Sequence, residues 1–294
     1  MDPLFYEVIP PPKNWPKDKI LQWTNDICCM LQREKIKAIN LPEVINEQRN
    51  KERTTPFREK IDNIEYAKLI RTQYPDAAIV PNKVCVHLPK GAFLDWVDDA
   101  YGMGIRQLIL VGGEHRAIDY PGPPVLEAAS LIKERYPDLL LGGITIFTRR
   151  DEVHHILQKM KHGIDFFVSQ IIFETANMKC VLLNLQKLCQ SAEHPMPRIY
   201  LSLALATKKS DIQFMQWLGV EFPTAILSFF LDGEEEQLAS RVLEVMDFLL
   251  EEIKFFLSKT RLKIGVNIEQ VMYGNQESGE HLLTLVKRRL PLCQ

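Results

Sequence analysis

Short apolar runs that suit β-strands alternate with longer amphipathic stretches along the whole sequence. The β-like runs span residues 5–9, 37–41, 83–87, 107–111, 140–146, 166–173, 198–205 and 262–268. The helical patterns between and after them span residues 17–34, 61–74, 92–103, 123–136, 151–162, 177–190, 208–218, 234–259 and 277–290. Several of the β-like runs, such as 108–111, are continuously apolar, as strands covered on both faces require. Eight such alternations predict a single-domain (β/α)8 TIM barrel over residues 1–294.

Residues at the ends of the helical runs support this assignment. Glycines at 104, 163 and 219 each follow a helical run, where a residue in the left-handed conformation commonly ends a helix. Prolines at 75 and 137 lie just beyond two other helical runs. A doubly wound open sheet is the structural alternative, but the glycine-rich GxGxxG turn typical of that fold does not follow the first β-like run.

Composition and charge narrow the function classes. The 294 residues include 36 basic and 38 acidic side chains, so the formal net charge is −2. This balance argues against nucleic acid as the main partner. The N-terminus lacks the features of a secretory signal, and acidic residues interrupt the most apolar helical stretch, 225–257, so no membrane partner is expected. Cysteines at 28, 29, 85, 180, 189 and 293 form no CxxC pair, which indicates a reducing, cytoplasmic location.

The barrel assignment fixes where a site should lie. Active sites of such barrels lie at the carboxyl ends of the strands, on the loops that lead into the helices. Here those loops are residues 7–12, 41–46, 87–90, 112–116, 145–150, 170–174, 204–208 and 267–270. They contain no nucleophile elbow, P-loop or HExxH motif, so the candidates are individual polar residues.

Glu7 is the first candidate, because it lies inside an apolar β-like run directly before three prolines. A carboxylate in a barrel strand loses solvation, which raises its pKa and suits it to proton donation. An outward-facing glutamate paired with a lysine is the alternative.

Two further loops carry residues suited to ligand contact. Gly112 and Gly113 would let the backbone approach a ligand closely, and Glu114 beside them could touch it. The alternative is a tight turn with a solvated charge. Gln170 and Glu174 bracket an apolar triplet, and the Gln170 amide can donate and accept hydrogen bonds, as recognition of a heterocycle edge requires. The alternative for Gln170 is a structural amide.

Basic residues and histidines complete the candidate set. Arg149 and Arg150 precede a helical run, where paired arginines suit a phosphate or carboxylate, although surface arginines are often simply solvated. His87 ends the third β-like run and is placed at the barrel mouth. His154 and His155 are adjacent, so on a helix they point about 100° apart and cannot easily share one ion. No metal site is therefore predicted.

Three segments resemble the methylenetetrahydrofolate reductase family. Residues 6–13 read Tyr-Glu-Val-Ile-Pro-Pro-Pro-Lys and resemble the family's strand-one phrase, Phe-Glu-Phe-Phe-Pro-Pro. Residues 104–114 are similar to its Gly-Ile-Arg segment leading to Arg-Gly-Asp. Residues 159–174 are similar to its Gly-Ala-Asp segment leading to Thr-Gln-Phe-Phe-Phe-Asp. The order and spacing of the three segments hold across nearly the whole chain.

The resemblance implies a flavin-containing barrel that passes hydride from NADH or NADPH to 5,10-methylenetetrahydrofolate, giving 5-methyltetrahydrofolate. It assigns Glu7 as general acid on the folate, Glu114 to a place near both flavin and pterin, and Gln170 to the folate itself. It also implies a homo-oligomer. The residues it implies for FAD are His87, Gly112, Gly113, Arg149, His155 and Lys159.

Departures from the family pattern keep other functions open. Residues 42–45 read Pro-Glu-Val-Ile where the family has Thr-Tyr-Gly-Ala, and residues 146–149 replace its Tyr-Pro-Glu. Glu269 and Gln270 replace an Asn-Arg pair. The pterin-facing residues are thus retained better than the flavin-facing ones. The second hypothesis is therefore a flavin-free relative that binds a reduced folate or pterin, for methyl transfer or as a non-catalytic binding subunit. A third is a barrel that has changed substrate altogether.

Overall fold

Eight parallel strands close into a barrel in chain order in the computed structural model, which confirms the predicted (β/α)8 TIM barrel. The structure describes residues 1–47, 49, 52–114, 118–260, 262–272 and 275–290. The strands are β1 (Leu4–Glu7), β2 (Ala38–Leu41), β3 (Ala78–Val84), β4 (Gln107–Val111), β5 (Leu140–Thr145), β6 (Phe166–Ile171), β7 (Arg198–Ala204) and β8 (Ile264–Glu269). The pairing of β1 with β8 closes the barrel. Cys293, counted in the sequence, lies outside the described residues.

Helices surround the barrel. They are α1 (Lys17–Arg33), α2 (Asn63–Gln73), α3 (Lys90–Gly102), α4 (Val125–Arg135), α5 (Glu152–Lys161), α6 (Ala176–Ser191), α7 (Lys209–Trp217), α8 (Thr224–Leu231), α9 (Leu238–Thr260) and α10 (Gln276–Arg289). Gly104, Gly163 and Gly219 have φ angles of +80°, +97° and +89°, which confirms the glycine-closed ends of three helices. In the described part of the chain, no helix is long and apolar enough to cross a membrane.

Two elements differ from the sequence pattern. The third strand was placed at residues 83–87 but runs over Ala78–Val84, and residues 85–87 form a short 3₁₀ turn. The pattern hid the true strand because Pro81 lies within it, paired with Leu41 of β2, and proline is depleted from strands. The apolar helical stretch 225–257 is two helices, because the short helix α8 begins directly after Pro223 and ends at Leu231, before α9 begins.

Aromatic side chains fill the barrel interior. The rings of Phe5 and Tyr200 stack 3.9 Å apart, and Phe166 packs edge-on against both. Glycines make this possible, because a Cβ at Gly142 would lie 2.5 Å from the Phe166 ring and one at Gly265 would lie 2.4 Å from the Tyr200 ring. The interior is thus a packed core, and space for a ligand begins only at the carboxyl ends of the strands.

Candidate functional site

Two carboxyl groups lie on neighbouring strands at the barrel mouth. Glu7 ends β1 and Glu269 ends β8, and these strands pair through Tyr6 and Ile268. Burial, and then the nearby charge of Glu269, raise the pKa of Glu7 well above its usual range, although the Gln270 backbone N–H donates to Glu7 Oε1 at 3.2 Å. Burial also raises the pKa of Glu269, to about 7. Two such carboxyls cannot both ionise readily, so the pair holds a proton near neutral pH.

Polar side chains form a floor beneath this pair. Asn267 Nδ2 donates to Ser202 Oγ at 3.1 Å and to Glu269 Oε1 at 3.2 Å. Asn40, which pairs with Glu7 across β1 and β2, donates through Nδ2 to Asn267 Oδ1 at 3.3 Å. The Asn40 Oδ1 is buried and has no hydrogen-bond partner among the described residues. Asn82 of β3 carries a second such oxygen. Because both oxygens are closed to solvent, they belong to the floor of the mouth and not to its open surface.

His87 and Glu114 meet at the neighbouring corner of the mouth. His87 lies in the 3₁₀ turn after β3, rather than at the strand end as the sequence suggested, and its Nε2 is 3.3 Å from Glu114 Oε2. The Glu114 side chain is only 4% exposed, so it is not the solvated charge of the alternative interpretation. Gly113 is required here, because a Cβ would lie 2.5 Å from the Tyr120 ring. Gly112 has more room, with Val125 3.5 Å from such an atom. His115 and Arg116, at the end of this predicted loop, lie outside the described residues.

Gln170 lies near the end of β6, where the pairing with β7 is irregular. Its Nε2 donates to the Leu218 carbonyl at 3.1 Å, and its Oε1 accepts weakly from the Ile171 N–H at 3.3 Å. Gln170 and Glu174 both line a cavity of about 30 Å³, which is room for water rather than for a heterocycle. The Glu174 carboxylate accepts from the Ala176 backbone N–H at 2.6 Å, so it caps the start of α6.

The loop after β2 crosses the mouth; we refer to its described residues, 42–47, 49 and 52–62, as the strap. Near β2, Glu43 accepts from Lys83 Nζ at 2.5 Å. At the far side, Arg49 donates to the Leu218 carbonyl at 3.0 Å, and the Arg53 guanidinium lies 4.8 Å from the Trp217 ring centre. The strands β2 and β7 are separated in the barrel by β1 and β8. The strap therefore passes over the end of the barrel that carries the carboxyl pair.

Three of the six residues proposed for FAD make contacts within the chain. Arg149 Nη1 and His155 Nδ1 lie 3.4 Å and 3.3 Å from the same carboxylate oxygen of Glu152, which is buried. Lys159 donates to the Ile144 carbonyl at 2.5 Å, and burial lowers its pKa. A flavin diphosphate needs cations that face the ligand, and these three do not fit that role.

Sequence reasoning missed Glu269, Asn40 and Asn82 as site residues. A signal was present for Asn40, which follows the inward-facing Ala38 of the same predicted strand by two residues. Asn82 follows the inward-facing Val80 in the same way, but both lie outside the predicted third strand, 83–87. Alternate residues of a strand share a face. A polar residue two positions beyond an inward apolar one therefore marks the mouth. Within the described part of the chain, no group of three or more His, Cys, Asp or Glu side chains could hold a metal ion.

Comparisons with solved structures identify a close match in fold. An uncharacterized protein from Clostridium thermocellum, described as binding two copies of 5-methyl-5,6,7,8-tetrahydrofolic acid, superposes with a TM-score of 0.78 at 19% identity. The match covers 98% of this chain and 96% of that one. The 7,8-dihydropteroate synthase of Vibrio fischeri ES114 superposes with a TM-score of 0.50 at 10% identity, over 98% of this chain and 91% of that one. At these identities the likeness shows the fold alone.

The comparison with family models agrees with two of the three sequence segments. No curated protein matches this chain. The family model described as mycobacterial methylenetetrahydrofolate reductase, however, matches residues 19–228, which is more than two thirds of the chain. The matched range includes the segments 104–114 and 159–174, and residues 6–13 lie outside it. The match confirms the family that the sequence resembles, and the chain belongs to this methylenetetrahydrofolate reductase family.

Proposed function

We propose that this chain binds a reduced folate at the barrel mouth and interconverts 5,10-methylenetetrahydrofolate and 5-methyltetrahydrofolate, with Glu7 as the general acid. The observation that carries the proposal is the pair formed by Glu7 and Glu269, whose raised pKa values keep a proton at the site. Family membership supports it. The structural neighbour described as binding 5-methyltetrahydrofolic acid supports the ligand class.

The chemistry of the mouth matches a pterin. The pyrimidine edge of a pterin offers N–H groups from its exocyclic amine and its ring amide. Glu7 and Glu269 are partly exposed at the mouth, so their carboxyl oxygens can accept from such groups.

The proton held by Glu7 has a defined use. In 5,10-methylenetetrahydrofolate the one-carbon unit bridges two nitrogens. Transfer of the Glu7 proton to one of them breaks its C–N bond and leaves an iminium ion on the other. A reduced nicotinamide, when bound, would supply the hydride that completes the methyl group at this carbon. Burial and the charge of Glu269 both disfavour the charged form of Glu7 and raise its pKa, which suits this carboxyl to hold a proton and donate it.

The second candidate is a protein that binds a reduced folate without reducing it. The specific observation in its favour is the internal engagement of Arg149, His155 and Lys159, the cations proposed for FAD. In this case the carboxyl pair would serve recognition of the pterin N–H groups alone.

The test is Glu7→Gln, measured for both turnover and binding. We expect turnover of 5,10-methylenetetrahydrofolate with NADH or NADPH to fall about 100-fold or more, since general acid catalysis contributes about 10²–10⁴-fold. The affinity for 5-methyltetrahydrofolate should change far less, because glutamine keeps the acceptor oxygen. The matched control is Glu127→Gln, on the exposed surface of α4. Wild-type turnover in Glu7→Gln would overturn the mechanism. Folate binding by the wild type without turnover, with or without added FAD, would favour the second candidate.

A further inference from the structure

Helix α9 presents two large apolar side chains to solvent. Phe248 and Phe255 are 68% and 67% exposed, more than any other large apolar residue of the described chain. They are seven residues apart, which is about two helical turns, so both rings lie on one face of the helix. A single exposed apolar residue is ordinary, but two large ones on one face form a patch of the kind that marks an interaction surface.

Leu183 of α6 extends this patch. Two contacts hold α6 beside α9: Lys179 Nζ donates to Glu252 Oε2 at 3.2 Å, and Gln186 Nε2 donates to the Thr260 carbonyl at 3.3 Å. Leu183 is exposed and lies four residues after Lys179 and three before Gln186, so it shares their side of the helix. We refer to Leu183, Phe248 and Phe255 as the α9 patch.

Opposite charges flank the two phenylalanines. Glu244 is exposed and lies one helical turn before Phe248, and Lys259 is exposed and lies one turn after Phe255. The Lys259 Nζ is 5.4 Å from the centre of the Phe255 ring. Neither Glu244 nor Lys259 has an ion-pair partner in the described part of the chain. Along the helix, this face therefore carries an acid, two aromatic rings and a base, in that order.

A second copy of α9 that runs antiparallel complements this face. When the two-fold axis lies midway between the phenylalanines, Phe248 of each copy faces Phe255 of the other, and Glu244 faces Lys259. Each pair then occurs twice, as a two-fold contact requires. An axis at Phe248 itself would instead bring Glu244 opposite Glu252, which has the same charge. Charge complementarity thus selects the first arrangement.

The acidic residues nearest to that axis are already neutralised. Glu251 Oε1 lies 2.5 Å from Arg289 Nη1 of α10. Glu252 pairs with Lys179 of α6 and accepts a hydrogen bond from the Thr175 hydroxyl. Since each carboxylate has a cation within its own chain, two copies can approach here without strong repulsion.

We propose that α9 is the contact surface of a homodimer in which the α9 helices of two copies pack antiparallel, with Phe248 against Phe255 and Glu244 beside Lys259. Covering the exposed parts of the two rings would bury about 200–300 Å² per copy. A standard interface buries about 800 Å² per copy, so Leu183 and the helices beside α9 must add to the contact, and we expect a reversible dimer with a micromolar Kd. Because α9 lies in the outer layer of helices, this inference does not depend on the proposed function.

The apolar part of the contact is tested by sedimentation velocity of the full-length chain, from about 1 to about 100 µM. We expect the wild type to convert from monomer to dimer across this range. Phe248→Ser and Phe255→Ser should each raise the Kd of the dimer about tenfold or more, since buried aromatic residues dominate such contacts. Leu21→Ser, which changes an exposed apolar residue of α1, is the matched control and should dimerise as the wild type does.

A charge exchange tests the antiparallel arrangement. Glu244→Lys and Lys259→Glu each bring like charges together across the dimer, so each should raise its Kd about tenfold. The double variant with both substitutions should return to within about twofold of wild type. The two positions are about 22 Å apart on one helix, so this recovery requires contact between copies. Glu134→Lys, on the exposed face of α4, is the matched control.

Three outcomes would overturn the inference. Wild type that stays monomeric at every concentration would do so, and would favour a partner of another sequence for the α9 patch. A dimer that survives both phenylalanine substitutions would place the contact elsewhere. Failure of the double charge variant to recover would refute the antiparallel pairing of the two α9 helices.

Discussion

Glu269→Gln should remove a pH-dependent loss of folding stability that the carboxyl pair causes. The pKa of Glu269 rises from 4.5 to about 7 on folding, chiefly because the group is buried. The neutral form is thus the stable one in the folded state, and stability falls as the pH rises from 4.5 through the folded pKa. With about 1.4 kcal/mol per pKa unit, ionisation costs about 1 kcal/mol at pH 5 and about 3 kcal/mol at pH 7.5.

The assay is urea unfolding of wild type and Glu269→Gln at pH 5 and at pH 7.5, followed by tryptophan fluorescence. The range stops below pH 8 because Lys60, whose lowered pKa is about 8, titrates there with the opposite effect on stability. The quantity compared is the free energy of unfolding of the variant minus that of wild type. We expect this difference to be about 2 kcal/mol larger at pH 7.5 than at pH 5. Glu127→Gln should follow wild type. Parallel pH profiles of Glu269→Gln and wild type would refute the buried, proton-sharing pair.

Three further predictions test other parts of the structure. Lys83→Met leaves the Glu43 carboxylate without its cation, so the free energy of unfolding in urea should fall by about 3 kcal/mol. A fall of less than about 1 kcal/mol would contradict a buried ion pair. Arg49→Ala removes the hydrogen bond from the strap to the Leu218 carbonyl. Dissociation of 5-methyltetrahydrofolate, measured by stopped flow, should therefore be about tenfold faster, because one lost hydrogen bond is worth about 1.4 kcal/mol. An unchanged dissociation rate would show that the strap does not cover the ligand. Phe5→Ala opens a cavity in the barrel core and should cost about 3–5 kcal/mol in the same unfolding assay, and a cost near zero would contradict the packed interior.

The fold was predictable because continuous apolar runs and helix-closing glycines are local signals. Seven of the eight strands lie near the positions that the pattern gave, and β3 was displaced because Pro81 masked its first half. Helix α8 was not distinguished from α9 because a short apolar helix next to a longer one has no separate periodicity.

The site was predictable only in part. Glu7 stood out as a carboxylate inside an apolar run, and His87 and Glu114 were both assigned to the mouth, where the structure places them in contact. Their mutual contact depends on the closure of the barrel, and so does the approach of Glu269 to Glu7, since β1 and β8 lie at opposite ends of the sequence. The path of the strap to Leu218 likewise depends on tertiary packing, which no local pattern encodes.

The most direct test of the central claim is a crystal structure of the full chain grown with saturating 5-methyltetrahydrofolate. We expect the pterin at the barrel mouth, with an N–H group within about 3 Å of a carboxyl oxygen of Glu7 or Glu269. A folate bound elsewhere, with no contact to either carboxyl, or a mouth without ligand at saturation, would contradict it.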